Sequence, residues 1–188
     1  PHDGFTHETA LNYSVGFRGP NGRDLISSFA DYALENDLGG EHYSDPDLTC
    51  REHPGRVEEY ELNRLRQMMV DMINQQEDFK QWFGRFATTP RHELDISAAQ
   101  PPYEQDEIVG ALMDGQILTR LSGLRVLQVG DSFFINSERL ETTDAKAADA
   151  LCRYTMIGKK ELGEALNNPT FMAELTELIN QGYWFFDE

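Results

Sequence analysis

A polar stretch that contains three prolines, residues 87–103, constrains the fold of this chain more than any other feature. Pro90, Pro101 and Pro102 interrupt it. Proline stops helices and central strands because it lacks the backbone N–H donor and its ring clashes with the preceding turn. The stretch is therefore predicted to be a linker, with one module before it and a second, smaller module after it.

The first module, residues 21–95, has the pattern of three helices. Asn21 is placed to cap the first helix, and Gly39-Gly40 supplies its stop. A second helix is predicted from about residue 57 to residue 75, after a polar loop that contains Asp45-Pro46-Asp47. The third carries four aromatic residues at helical spacing and ends before the first proline of the linker: Phe79, Trp82, Phe83 and Phe86.

Four apolar residues of the second predicted helix recur at alternating spacings of three and four. They are Leu62, Leu65, Met69 and Met72. This spacing is typical of the seam of a helix that packs on a near-parallel partner. A methionine-rich stripe suits the core of a bundle within one chain as well as the interface of a homodimer, and both interpretations stay open. The dimer interface is the prediction that we carry forward.

The second module, residues 96–188, has the pattern of short helices around a β-hairpin. A helix over 104–114 and a strand over 116–121 precede the hairpin, whose strands 124–129 and 132–140 meet at Gly130-Asp131. Three further helices and an aromatic strand are then predicted over 144–153, 159–166, the segment capped by Asn168-Pro169, and 183–186. This order is typical of a winged-helix-like module.

The amino-terminal residues 1–20 contain a strand that has no partner nearby. Over residues 9–18, apolar side chains alternate with small or polar ones, which is the period of a strand. A lone strand is not stable in water. The rest of its sheet is therefore expected upstream of Pro1 or in another chain, and the chain is expected to be part of a longer protein.

The strongly acidic composition bears on which partners the chain can bind. Its formal net charge is −17, and the excess is shared: residues 1–95 carry 18 acidic and 9 basic side chains, and residues 96–188 carry 15 and 7. Such a surface is unsuited to phosphates and hence to DNA, but it suits a basic protein. The sequence shows no apolar run long enough to span a bilayer, so we expect a cytoplasmic protein. Cys50 and Cys152 fit no disulfide or zinc pattern and are expected to be buried thiols.

Matching segments along essentially the whole chain resemble bacterial JmjC-type ribosomal oxygenases. The similar segments are Pro1-His2-Asp3-Gly4, residues 10–18, Phe29-Ala30-Asp31-Tyr32, Gly39-Gly40, residues 43–47, 79–84, 91–96 and 121–127, and Gly182-Tyr183-Trp184-Phe185-Phe186. The resemblance implies an α+β chain. It would hold the last strands of a double-stranded β-helix (jelly-roll or cupin) core over 1–20, a helical dimerisation bundle over 21–95 and a winged-helix-like domain over 96–188.

The same resemblance implies an activity and a set of site residues. It implies an Fe(II)- and 2-oxoglutarate-dependent dioxygenase that hydroxylates an arginine of a large-subunit ribosomal protein. In that family a His-X-Asp pair and a later histidine hold the iron, and His2 matches the later histidine. No histidine of this chain is followed two residues later by aspartate, so the other two ligands are expected upstream. Asn12 and Ser14, on one face of the strand, are candidate residues of the co-substrate pocket.

Three competing interpretations stand beside this one. The chain could be a non-catalytic, acidic dimerisation and winged-helix module that binds proteins. A DNA-binding regulator is disfavoured by the negative charge. The loop that holds His42, Asp45, Asp47, Cys50 and His53 resembles a metal cluster, yet its spacings match no zinc or calcium pattern, and we expect an ordinary polar loop.

Overall fold

The computed structural model of the chain describes residues 19–46, 48–142 and 144–187. The predicted barrel strand, with His2, Asn12 and Ser14, lies outside the described residues. The described part mixes helices with two small β-sheets, in agreement with the α+β class.

The amino-terminal half of the described chain is helical. Helix α1 spans Gly22–Glu35, α2 spans Glu59–Ile73 and α3 spans Gln76–Thr88. Asn21 caps α1 as predicted: its Oδ1 accepts hydrogen bonds from the backbone N–H groups of Arg23 and Asp24, at 2.9 and 3.1 Å. This cap satisfies donors that would otherwise be orphaned at the helix start.

An aromatic cluster joins α1 to α3. The buried ring of Phe29 meets Trp82 edge-on, with ring centroids 5.2 Å apart, and Trp82 stacks on Phe86 at 5.6 Å. The indole N–H of Trp82 donates to Ser28 Oγ at 3.0 Å. The spacing of the aromatic residues in the sequence predicted this face of α3, because helical residues three and four apart share one face.

The carboxy-terminal half alternates short helices and strands. In chain order these are α4 (Gln105–Met113), β1 (Leu118–Arg120), β2 (Val126–Val129), β3 (Ser132–Ile135), β4 (Glu138–Leu140), α5 (Ala145–Arg153), β5 (Met156–Ile157), α6 (Lys159–Leu162), a 3-10 turn (Gly163–Asn167), α7 (Pro169–Asn180) and β6 (Trp184–Phe186). Two antiparallel sheets form, with strand orders β5-β1-β6 and β2-β3-β4.

One hydrophobic core fills this half. It includes Ile108 and Leu112 of α4, Leu151 of α5 and Trp184 of β6, all fully buried. Helix α7 contributes the residues that its helical period predicted: Phe171, Leu175 and Leu178. Burial of these side chains away from water is the main stabilising term for a module of this size.

Helix α3 packs directly on the β2-β3-β4 sheet. A Cβ at Gly84 would lie 2.3 Å from the ring of Phe134, which is fully buried. Arg125 Nη1 donates to the carbonyl of Ala87 at 3.1 Å, and the hydroxyl of Thr88 accepts from the backbone N–H of Ser137 at 3.1 Å. Helix α3, which precedes the linker, is thus in direct contact with the β2-β3-β4 sheet, which follows the linker.

Two expectations from the sequence are wrong. The strand predicted over 132–140 is interrupted by a tight turn at Asn136 and Ser137, which adopt positive φ angles of 48° and 67°. Cys50 is exposed and Cys152 only half-buried. Cys50 lies in a loop with no core beneath it, whereas partial burial and the nearby Asp149 raise the pKa of Cys152 to about 11, so this thiol is not a ready nucleophile.

Candidate functional site

The predicted seam of α2 is a surface in the single chain. Leu62, Leu65 and Met69 are 44, 46 and 63% exposed, Met72 is half-buried, and no residue of α2 is buried. Packing among the described residues therefore leaves most of the seam exposed. A helix of this length gains little stability from its own hydrogen bonds in water, so an apolar face without a partner is costly.

The contacts that α2 makes with the preceding loop are polar. Arg51 makes two hydrogen bonds to the carboxylate of Glu61, at 2.6 and 2.8 Å, and Arg64 Nη1 lies 2.6 Å from Asp45 Oδ1. These ion pairs connect the loop over residues 41–57 to α2. They leave the apolar stripe uncovered.

The Arg51–Glu61 ion pair shifts the pKa values of both side chains. Hydrogen bonds from Arg51 and from the backbone N–H of Glu58 lower the pKa of Glu61 to about 2. The same carboxylate raises the pKa of Arg51 above its already high value. A bidentate arginine–carboxylate pair is a strong, orientation-specific contact.

The polar loop is not arranged as a metal site. Asp45 pairs with Arg64, and Cys50 is exposed. Across the described ranges, no three His, Cys, Asp or Glu side chains come together in a way that could hold a metal ion.

The predicted iron ligand His2 and the pocket residues Asn12 and Ser14 lie among residues 1–18, outside the described part. The four residues of the predicted dimer interface are among the described ones, and all of them lie on α2. Sequence reasoning missed the two arginine ion pairs, because Arg51 and Glu61 are ten residues apart in a region without periodicity.

No helix among the described residues combines the length and the apolar character that crossing a bilayer requires.

Comparison with known proteins identifies what the chain is similar to. Residues 71–185 match the family described as "ROXA-like winged helix". The matched region begins inside α2 and so includes α3, the helix that packs on the β2-β3-β4 sheet. In Escherichia coli (strain K12), the ribosomal protein uL16 3-hydroxylase is 51% identical to this chain over 187 residues, which are 100% of the chain and 50% of that protein.

Solved structures give the same result. The crystal structure of the Escherichia coli ribosomal oxygenase YcfD matches with a TM-score of 0.85 at 51% identity, over 92% of this chain and 48% of that one. The structure of YcfD in complex with cobalt and 2-oxoglutarate matches with a TM-score of 0.83 at 50% identity, over 93% and 48%. The chain thus spans about half the length of the relatives that it matches.

Proposed function

This chain belongs to the ROXA-like winged-helix family, and on that basis we propose that it is the carboxy-terminal half of an Fe(II)- and 2-oxoglutarate-dependent protein hydroxylase. The proposed substrate is an arginine side chain of a large-subunit ribosomal protein. One observation carries the proposal: a ribosomal protein hydroxylase is 51% identical over the full length of this chain. The non-catalytic interaction module remains the competing function.

The proposed iron site joins this chain to the half that precedes it. His2 supplies one ligand, and a His-X-Asp pair upstream supplies the others. Asn12 and Ser14 lie beside 2-oxoglutarate. In the related YcfD structure, cobalt stands in for Fe(II), since both are divalent ions that imidazole and carboxylate ligands accept. Bound iron would supply the oxidative chemistry: dioxygen gives one oxygen atom to the C–H bond of the substrate and the other to succinate, which forms from 2-oxoglutarate with release of carbon dioxide.

The charge of the chain supports a basic substrate. With 33 acidic and 16 basic residues, the protein attracts a basic ribosomal protein and repels nucleic acid. Binding to DNA is accordingly not part of the proposal. A substrate that belongs to the ribosome places the enzyme in the cytoplasm.

The organisation that we propose follows the three segments of the chain. Residues 1–20 complete the jelly-roll core, residues 21–95 form the dimerisation domain and residues 96–188 form the winged-helix domain. The exposed apolar stripe Leu62, Leu65, Met69 and Met72 is the homodimer interface. Its support is that, among the described residues, Leu62, Leu65 and Met69 stay exposed and Met72 is only half-buried although the four share heptad spacing.

Hydroxylation by the full-length protein tests the proposed activity. The protein is incubated with Fe(II), 2-oxoglutarate and the organism's uL16, and tryptic peptides are analysed by mass spectrometry. We expect the mass gain of one oxygen atom on an arginine, with succinate formed in equal amount.

A pair of histidine variants sharpens this test. His2→Ala should abolish turnover and weaken iron binding, whereas His7→Ala should leave both within about twofold, because a single lost metal ligand typically removes activity and a neighbouring side chain does not. Absence of a His-X-Asp triplet upstream, or full activity of His2→Ala, would contradict the oxygenase proposal.

A further inference from the structure

The free edge of strand β6 presents unpaired backbone groups. Strand β6 lies at the end of the sheet β5-β1-β6. The backbone N–H of Leu121 donates to the carbonyl of Tyr183 at 2.9 Å, and Thr119 lies opposite Phe185. Because backbone groups alternate in direction along a strand, those of Trp184 point away from β1. Among the described residues, the backbone N–H and carbonyl of Trp184 have no backbone hydrogen-bond partner.

A groove runs beside this edge. It has a volume of about 500 Å³ and is lined by Trp184 and Phe185 of β6 and by Pro101, Pro102 and Tyr103 of the linker. The linker is tied down on both sides of Pro101. The backbone N–H of Ala99 donates to the carbonyl of Asn180 at 3.0 Å, and the side chain of Asn180 bonds the backbone N–H and carbonyl of Tyr103 at 2.8 and 3.0 Å. The groove is therefore preformed.

The charge of the groove has one sign. Of the residues that line it, the charged ones are Asp95 and Glu107, both acidic and both exposed. A wall of proline and aromatic side chains with acidic groups at the rim suits an extended segment that carries apolar and basic side chains.

A buried donor in the groove wall lacks an acceptor. Trp184 is fully buried, and its indole Nε1–H has no hydrogen-bond partner within the described part of the chain. The other tryptophan, Trp82, has its N–H satisfied by Ser28. Buried N–H groups of this kind are nearly always paired in native proteins, but this nitrogen lies in the hydrophobic core, out of reach of a ligand in the groove. The groups that the edge offers to a ligand are the backbone N–H and carbonyl of Trp184.

We propose that the groove along the free edge of β6 binds an extended, basic segment of a protein partner, which adds to the sheet as a further strand. The segment hydrogen-bonds the backbone of Trp184 and sets basic side chains against Asp95 and Glu107. Strand addition to a free sheet edge is a common mode of peptide binding. This interaction is separate from the proposed hydroxylation and stands whether or not the protein is an oxygenase.

Binding of a model peptide to the full-length protein tests the proposal. The probe is a short, fluorescein-labelled peptide of alternating valine and lysine, and its counterpart contains glutamate in place of lysine. Fluorescence anisotropy should show binding of the basic peptide only. Asp95→Asn with Glu107→Gln should weaken this binding about fivefold. The matched control, Asp106→Asn with Asp114→Asn, removes the same charge from helix α4 and its end, outside the groove, and should change it less than twofold.

A spectroscopic measurement locates the peptide. In protein labelled with 5-fluorotryptophan, the ¹⁹F signal of Trp184, assigned with Trp184→Phe, should shift on addition of the basic peptide while that of Trp82 stays in place. Equal weakening by both charge variants would overturn the proposal, because it would reduce the effect to net charge. Failure of the full-length protein to bind would overturn it too, since the upstream half would then cover the groove. A Trp184 signal that shifts with protein concentration alone would mean that a second copy occupies the edge, and this would also overturn the proposal.

Discussion

At the scale of single residues, Gly182 closes the end of helix α7 and also packs against the linker at Ser97. Its N–H and that of Tyr183 close the helix with bonds to Ile179 and Leu178, the arrangement of a Schellman motif. Its φ is +85°, and a Cβ at this position would lie 2.2 Å from the carbonyl oxygen of Ser97. Glycine is required here twice over, by the backbone conformation and by the close approach of the linker.

Gly182→Ala should destabilise the protein by roughly 2–3 kcal/mol. Gly115→Ala is the matched control, because Gly115 has a φ of +93° but no atom within 4 Å of its Cβ position. That control should cost about 1 kcal/mol, the cost of the left-handed conformation alone. Denaturant unfolding measures both, and equal losses would contradict a tight linker contact.

The Arg51–Glu61 ion pair should show in the titration of a single carboxylate. The pKa of Glu61 is lowered to about 2 from an ordinary value of 4.5, so the pair's contribution is complete above pH 4.5 and is lost as the pH falls towards 2. In a ¹³C NMR titration of the Glu61 carboxylate, we expect a midpoint near pH 2 that Arg51→Gln moves upward. Arg56→Gln removes a neighbouring exposed ion pair with Glu58 and should leave the midpoint unchanged. An unshifted midpoint in Arg51→Gln would exclude the pair.

At the scale of elements, α2 differs from every other long helix in the described chain because it buries nothing. Helices α1, α3, α5 and α7 each place residues in a core, whereas α2 is held by its neighbours mainly through polar contacts on the loop side. An amphipathic helix in this situation is stabilised by a partner. This exposure is what the proposed dimer interface requires.

Leu65→Asp combined with Met69→Asp should convert the dimer of the full-length protein to a monomer, because two buried charges opposite their symmetry mates cost several kcal/mol. Light scattering coupled to size-exclusion chromatography measures the mass. Leu34→Asp, at an apolar residue of α1 that is 82% exposed, is the control and should leave a dimer. A wild-type monomer, or a seam variant that stays dimeric, would argue against the interface.

At the scale of the whole molecule, the described residues before and after the linker are also in direct contact with each other. Helix α3 precedes the linker, yet it packs on the hairpin that follows it, through the contact of Gly84 with Phe134. Nothing in the local pattern of α3 predicts that contact, because a glycine in a helix normally only weakens it. In the folded chain glycine is needed at this position, because a Cβ would overlap the ring of Phe134.

The two candidate sites also differ in how far the sequence alone predicts them. The heptad spacing on α2 is enough to predict an apolar stripe, and the stripe is exposed as an interface requires. The groove beside β6 was not predictable. The aromatic run from Tyr183 to Phe186 indicated a strand, but a strand's own sequence does not tell which of its edges remains unpaired or what lies opposite.

Helices with strong caps and clear periodicity, such as α1, α5 and α7, follow from the amino-acid order alone, because those signals act within a few residues. The same holds for the linker, through its prolines, and for the acidic charge. Three features instead require the folded chain: α3 lies on the hairpin, Asn136 and Ser137 interrupt a predicted strand, and the linker encloses a groove with a buried, unpaired indole. They depend on contacts between residues far apart in the chain, and side-chain packing over such separations leaves no local pattern to detect.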